Sequence, residues 1–121
     1  MSKTVLIVDD SASLRLVVSM ALKGAGYEVI DACDGRDALA KLNGQKVHLI
    51  ISDVNMPNMD GISFVREVKK NPAYKFTPVI MLTTEAAEEK KRLGQEAGAR
   101  AWVVKPFQPQ QMLAAVAKLI M

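Results

Sequence analysis

Val47-His48-Leu49-Ile50-Ile51-Ser52-Asp53-Val54-Asn55-Met56-Pro57-Asn58-Met59-Asp60-Gly61 is the most informative stretch of the chain. An apolar run from Val47 to Ile51 ends on a carboxylate, Asp53, and a loop holding Asn55, Pro57, Asn58 and Gly61 follows. A short apolar run bounded by turn residues reads as a buried strand. Pro57 and Asp60-Gly61 stop any continuation and turn the backbone. Asp53 therefore stands where a buried strand meets a loop. An unpaired carboxylate in such a place is costly, so it requires a compensating partner.

The same alternation extends to both sides. Upstream, Thr4 to Val8 is a short apolar run ending on Asp9-Asp10, the first strand. Leu14, Val17, Val18, Ala21 and Leu22 follow at helical spacing, with Ser11 or Ser13 as N-cap and Gly24 and Gly26 as the stop. Tyr27 to Ala32 alternates and forms the second strand. Asp34 caps a short helix carrying Ala38, Leu39 and Leu42, closed by Asn43-Gly44. The third strand is Val47 to Ser52. Downstream, Ile62, Val65 and Val68 mark a third helix ended by Asn71-Pro72. Pro78 to Leu82 is strand four, Glu85 to Ala97 a charged helix with Gly94 inside it, and Ala101 to Val104 strand five. Pro109 opens a final helix marked by Met112, Leu113, Val116, Leu119 and Ile120. Strands apolar on both faces that alternate with helices imply an α/β fold: a parallel five-stranded sheet, (βα)5, helices on both faces, right-handed crossovers. The pattern leaves strand order open.

The chain's 121 residues are the size of one domain, 1–121, and bury about two thirds of the unfolded surface, enough for a real core. Half the residues are apolar and 24% charged, which excludes a disordered tail. No apolar run approaches the ~18 residues of a membrane span, and the first apolar stretch is too short for a signal peptide. A single cysteine, Cys33, cannot form an internal disulfide and suits a reducing compartment, so a cytoplasmic location is expected. The net charge of +3 is spread along the chain. Lys69-Lys70 and Lys90-Lys91-Arg92 lie on expected helices among acids, so solvated faces rather than a nucleic-acid or membrane surface are expected.

In a parallel sheet all strand C-terminal ends lie on one edge, where open α/β sheets bind ligands. Strand one brings Asp9 and Asp10 there, strand three Asp53, strand four Thr83 and Thr84, strand five Lys105. Three carboxylates close together raise one another's pKa values unless positive charge enters. Lys105 supplies one charge, and an all-oxygen donor set without His or Cys suits Mg²⁺. This constellation suggests a metal-dependent phosphoryl site with Asp53 as nucleophile, Thr83 as hydroxyl donor and Lys105 neutralising phosphoryl oxygens.

Asp9-Asp10, Asp53 within Ser-Asp-Val-Asn-Met-Pro-Asn-Met-Asp-Gly, Thr83, and Lys105-Pro106-Phe107 resemble the receiver domain of two-component response regulators, most closely stand-alone chemotaxis regulators of the CheY type. The resemblance runs from Thr4 to about Ile120. It implies a flavodoxin-like sheet of strand order 2-1-3-4-5. It also implies that Asp53 accepts a phosphoryl group from a histidine kinase, and that Asp10, Asp53 and the Asn55 backbone carbonyl hold Mg²⁺, with Asp9 acting on the metal through water. Thr83 would move to the phosphoryl group and Lys105 would pair with it. Asn55 and Glu85 would tune phosphoryl lifetime, and the Lys105-Pro106 bond would be cis. The family's rotating Tyr or Phe before the Lys-Pro pair is replaced here by Trp102, bulkier and without the phenol hydroxyl.

The expected function is a phosphorylation switch whose phosphorylated form binds a downstream protein through the fourth helix, strand five and last helix. A flagellar motor switch is the target that the resemblance suggests, and a phosphatase is a further expected partner. A phosphate-sink or relay role is the alternative. The chain is expected to be monomeric and not a turnover enzyme, catalysing only its own phosphorylation and dephosphorylation. A nucleotide or flavin binder would want a Gly- or Ser/Thr-rich cradle after strand one, and Asp9-Asp10-Ser11-Ala12-Ser13 has no Gly. A small-molecule hydrolase would want a lid. His48 reads as structural, Met56 and Met59 as loop packing, and Cys33 as unactivated.

Overall fold

The computed structural model describes residues 2–83 and 88–120. Five strands alternate with five helices: β1 Thr4–Val8, α1 Ala12–Gly24, β2 Glu28–Ala32, α2 Gly35–Leu42, β3 Leu49–Asp53, α3 Gly61–Lys70, β4 Val79–Thr83, α4 Glu88–Ala97, β5 Ala101–Val104 and α5 Pro109–Leu119. The strands form one parallel sheet in the order β2-β1-β3-β4-β5. The chain thus moves outward from β1 to β2, returns past β1 to β3, and continues to the far edge. Right-handed crossovers then require α1 to lie on the opposite face from α2, α3 and α4.

The side-chain alternation of the strands delivers that arrangement. Val5, Ile7, Leu49, Ile51, Ile80 and Leu82 pack with Val18 and Leu22 of α1 and Met112 and Val116 of α5. Leu6, Val8, Ile50, Val79 and Met81 face the other way, onto Leu42 of α2, Phe64, Val65 and Val68 of α3, and Ala97 of α4. Central strands buried on both faces read as unbroken apolar runs, which is why they stood out in the sequence. The outer strand β2 is only half covered: Glu28 and Asp31 are exposed, Val29 and Ile30 partly buried, and Ala32 buried.

Helix starts follow local chemistry. Ser11 accepts a hydrogen bond from the Leu14 N–H, Asp34 from Asp37 and Asp60 from Ser63, so α1, α2 and α3 each begin on a side-chain cap. Of the two serines considered for α1, Ser11 is the cap. Asn43 and Gly44, both at positive φ (29° and 82°), end α2 as expected. Pro109 opens α5 with a Gln108–Gln111 capping box. The Lys105-Pro106 peptide is cis.

Two strands, β3 and β4, lie further along the chain than the sequence reading places them. β3 starts at Leu49 rather than Val47 and runs through Asp53, and β4 runs through Thr83. Ladder pairing decides this: Asp53 is in register with Leu82, and Thr83 with Val104. His48 instead ties off the strand's start. Its N–H donates to the Thr4 carbonyl at 2.8 Å, and its Nδ1 accepts the Thr4 N–H at 3.0 Å, a structural role. The fourth helix, expected from Glu85, is described from Glu88 onward, so Glu85 and Thr84 lie outside the described residues.

Candidate functional site

The order of strand addition reverses at β1, with β2 on one side and β3 on the other, and this opens a crevice at the C-terminal edge of β1 and β3, the place where such sheets take ligands. Asp9 and Asp10 leave β1 there, and Asp53 is the last residue of β3. One carboxylate oxygen from each of Asp9, Asp10 and Asp53 lies within 4.8 Å of the others. Asp9 is fully buried, Asp53 nearly so, and Asp10 exposed. Oxygen-only donors, one of them solvent-facing, fit a hard divalent cation that keeps water ligands, as Mg²⁺ does.

Lys105, immediately after β5, reaches across to this cluster. Its Nζ donates to Asp9 Oδ2 at 2.9 Å and stands 3.4 Å from Asp53 Oδ1. The Lys105 N–H also donates to the Thr83 carbonyl at 2.7 Å, which aligns the two strand ends. The backbone supports the acids: Ser11 N–H donates to Asp9 Oδ1 at 2.9 Å, and Val54 N–H to Asp53 Oδ1 at 2.9 Å.

The electrostatics follow from this packing. Burial, then the nearby charge of Asp9, push the Asp53 carboxyl above its ordinary value, and Lys105 opposes them without cancelling them. For Lys105, burial works against the ammonium. The hydrogen bond to Asp9 and the fields of Asp9 and Asp53 outweigh it, so its pKa is raised. The site thus holds excess negative charge that one lysine only partly neutralises.

Asp9, Asp10, Asp53 and Lys105 therefore come together. Thr83, fully buried, ends the adjacent strand β4. Asn55 is exposed in the loop that follows Asp53. Trp102 lies on β5 in register with Met81, two residues short of the level of Thr83, and its indole is packed against Gly94 of α4. Cys33 is exposed, and slight burial and the neighbouring acids push its thiol up, consistent with an unactivated cysteine.

Two residues of this site escaped the sequence reading. Arg15 of α1 donates through Nη1 to the Asp9 carbonyl at 2.6 Å and through Nε to Asp31 Oδ2 at 3.0 Å, pinning the acidic turn to β2. Its position one turn into a helix after an acidic pair was the available signal. The sequence marks Gly61 only as a turn residue. It instead begins α3 directly against Asp53: a Cβ there would lie 1.9 Å from the Asp53 carbonyl oxygen.

Comparison with known proteins agrees with this geometry. Residues 5–117 match the family model of the response regulator receiver domain. The solved structure of the chemotaxis protein CheY4 of Vibrio cholerae is 50% identical, superposes with a TM-score of 0.96, and is matched over 99% of this chain and 100% of that one. Protein PilG of Pseudomonas aeruginosa is 38% identical over 93% of this chain and 83% of its own length. A sensor histidine kinase receiver domain from Pseudomonas aeruginosa, 25% identical with a TM-score of 0.90 and 98% of each chain covered, was solved with a magnesium ion in its active-site cleft. The chain spans about half the length, 49%, of other curated relatives, which are transcriptional regulatory proteins 37–38% identical to it. Five parallel strands in the order 2-1-3-4-5 closing on this acidic edge, and a family match over nearly the whole chain, lead to one assignment: the chain belongs to the response regulator receiver domains of two-component systems.

Proposed function

We propose that Asp53 is the phosphoacceptor of a signalling switch, and that the phosphorylated chain changes its binding to a partner protein in chemotaxis or motility. The observation carrying this reading is the placement of the Asp53 carboxylate: at the end of a central strand, among Asp9 and Asp10, and 3.4 Å from the Lys105 ammonium. An Asp53 oxygen attacks the phosphorus of a phosphohistidine on a histidine kinase. The new P–O bond forms as the P–N bond breaks, and the imidazole leaves. Mg²⁺, held by Asp10, Asp53 and the Asn55 carbonyl with Asp9 acting through water, would supply charge neutralisation on the phosphoryl oxygens. Lys105 exchanges part of its interaction with Asp9 for a phosphoryl oxygen, and the Thr83 hydroxyl donates to another.

A protein donor is supported by the surface beside the cluster. A groove of about 320 Å³ is lined by Leu14, Val17, Lys105, Pro106, Phe107 and Pro109, and α1 also exposes Leu16 and Met20. The outgoing face is α4, β5 and α5, with Trp102 and Thr83 as the moving pair and Asn55 and Glu85 setting phosphoryl lifetime. A flagellar motor switch is the target we favour, with a phosphatase as a further partner. The chemotaxis title of the Vibrio relative supports this direction. A phosphate-sink or relay regulator is the second reading. In either case the chain works as a single monomeric receiver domain in the cytoplasm, catalysing only its own modification. Among the described residues no helix is long and apolar enough to cross a membrane.

Intact-mass analysis after incubation with acetyl phosphate tests the reading. A Mg²⁺-dependent gain of one phosphoryl group, absent in Asp53→Asn, is the expected result. No adduct with metal binding intact would overturn it.

A further inference from the structure

We propose that Asp34, on the turn between β2 and α2, is a positioning residue for the phosphoryl site. It acts by holding the β3–α3 loop through Asn58. The loop, residues 55–60, carries the Asn55 carbonyl and side chain, so the inference rests on the reading of Asp53 as phosphoacceptor. The loop is closed at its base, where Gly61 N–H donates to the Val54 carbonyl at 2.8 Å. Its tip is tied to a different element. Asn58 Nδ2 donates to Asp34 Oδ2 at 2.7 Å.

The anchor is itself rigid. Asp34 Oδ1 accepts the Asp37 N–H at 2.8 Å, so the carboxylate spends one oxygen on the helix and one on the loop. Asp37 Oδ2 accepts the Cys33 N–H at 3.0 Å and stands 3.4 Å from Lys41 Nζ, which locks the turn from its other side. The same two hydrogen bonds, from Asp37 first and then Asn58, lower the Asp34 pKa, so the anchor stays ionised. Asn58 takes positive φ (67°), a conformation Asn tolerates and most residues resist, which aims its amide at Asp34.

A second, apolar contact marks the same seam. Met59 rests on Gly35, where a Cβ would come within 2.9 Å of the Met59 Cβ. The loop tip is thus held by one ionic hydrogen bond to the N-cap of α2 and one close packing contact on the helix's first residue. Groups that orient metal ligands from behind affect metal affinity by about 10-fold or more when removed.

The test uses two variants that spare other roles. Asn58→Gly keeps the positive φ and deletes the amide. Asp34→Ser retains a hydroxyl to cap α2 and deletes the second acceptor. Mg²⁺ affinity by calorimetry, the Asn55 amide resonance in metal-free protein, and the phosphoryl half-life after acetyl phosphate are measured for both variants and the double. The expected result is a shifted Asn55 resonance, about 10-fold weaker Mg²⁺ binding, and a half-life changed at least about threefold, with the double no worse than either single variant. Unchanged Asn55 resonance and Mg²⁺ affinity in both variants, with only melting temperature lowered, would overturn the proposal. Additive losses would do so too. If wild type takes up no phosphoryl group, the phosphoacceptor reading falls, while the resonance and metal affinity still decide the role of Asp34.

Discussion

At the scale of single residues, the decisive ones are those whose neighbours lie far away in sequence. Gly61 permits α3 to start against Asp53, and a Cβ 1.9 Å from a backbone oxygen has no flexible atom to push aside. Gly61→Ala should therefore cost about 3 kcal/mol, the upper end for overpacking, read by urea unfolding. A loss below about 0.5 kcal/mol would show that the loop relaxes freely. Charge gives a second residue-scale expectation. The Asp53 pKa is raised above 3.8, so the folded state disfavours its ionised form. As pH rises from 3.8 through the raised value, Asp53 progressively destabilises metal-free protein, and the penalty persists above it. Asp53→Asn should gain stability relative to wild type across that window and keep it at neutral pH. A difference flat with pH would contradict this. Lys105 has the opposite sign: its raised pKa stabilises the fold fully below 10.5, and that contribution disappears as pH passes through the raised value.

At the scale of elements, α4 and β5 meet through one large and one absent side chain. A Cβ at Gly94 would lie 2.5 Å from Cζ3 of Trp102, so glycine makes the seat that the bulky indole needs. The sequence showed Gly94 only as a weak point in a helix. Trp102 Nε1 is buried without a hydrogen-bond partner among the described residues. Gly94→Ala should displace the ring. Overpacking of about 1–3 kcal/mol is offset by about 1 kcal/mol of helix propensity, leaving a net loss under about 2 kcal/mol. Trp102 is the chain's one tryptophan, so its emission should shift to longer wavelength. Unchanged emission with lowered stability would mean that α4 moves instead.

At the scale of the whole molecule, a single sheet separates two apolar layers, so neither layer can lose its packing alone. Phe64 is fully buried on one face and Met112 on the other. Phe64→Ala should cost about 3–5 kcal/mol and Met112→Ala about 2–5 kcal/mol. In both, circular dichroism and Trp102 fluorescence should report one coincident unfolding transition. Separated transitions would show that the faces unfold independently. The apolar runs, their spacing and the turn residues between them determined the α/β class and nearly every element, because burial on both faces imposes composition locally. The acids, Thr83 and Lys105 were legible for a related reason: a parallel sheet carries every strand's C-terminal end to one edge, whatever the strand order. Strand order itself, the ladder ends at Asp53 and Thr83, Arg15 on the Asp9 carbonyl, the seat at Gly94 and the Asp34–Asn58 tie were decided only by the tertiary structure. Each depends on which segments pack side by side, and local periodicity carries no record of a contact between residues distant along the chain.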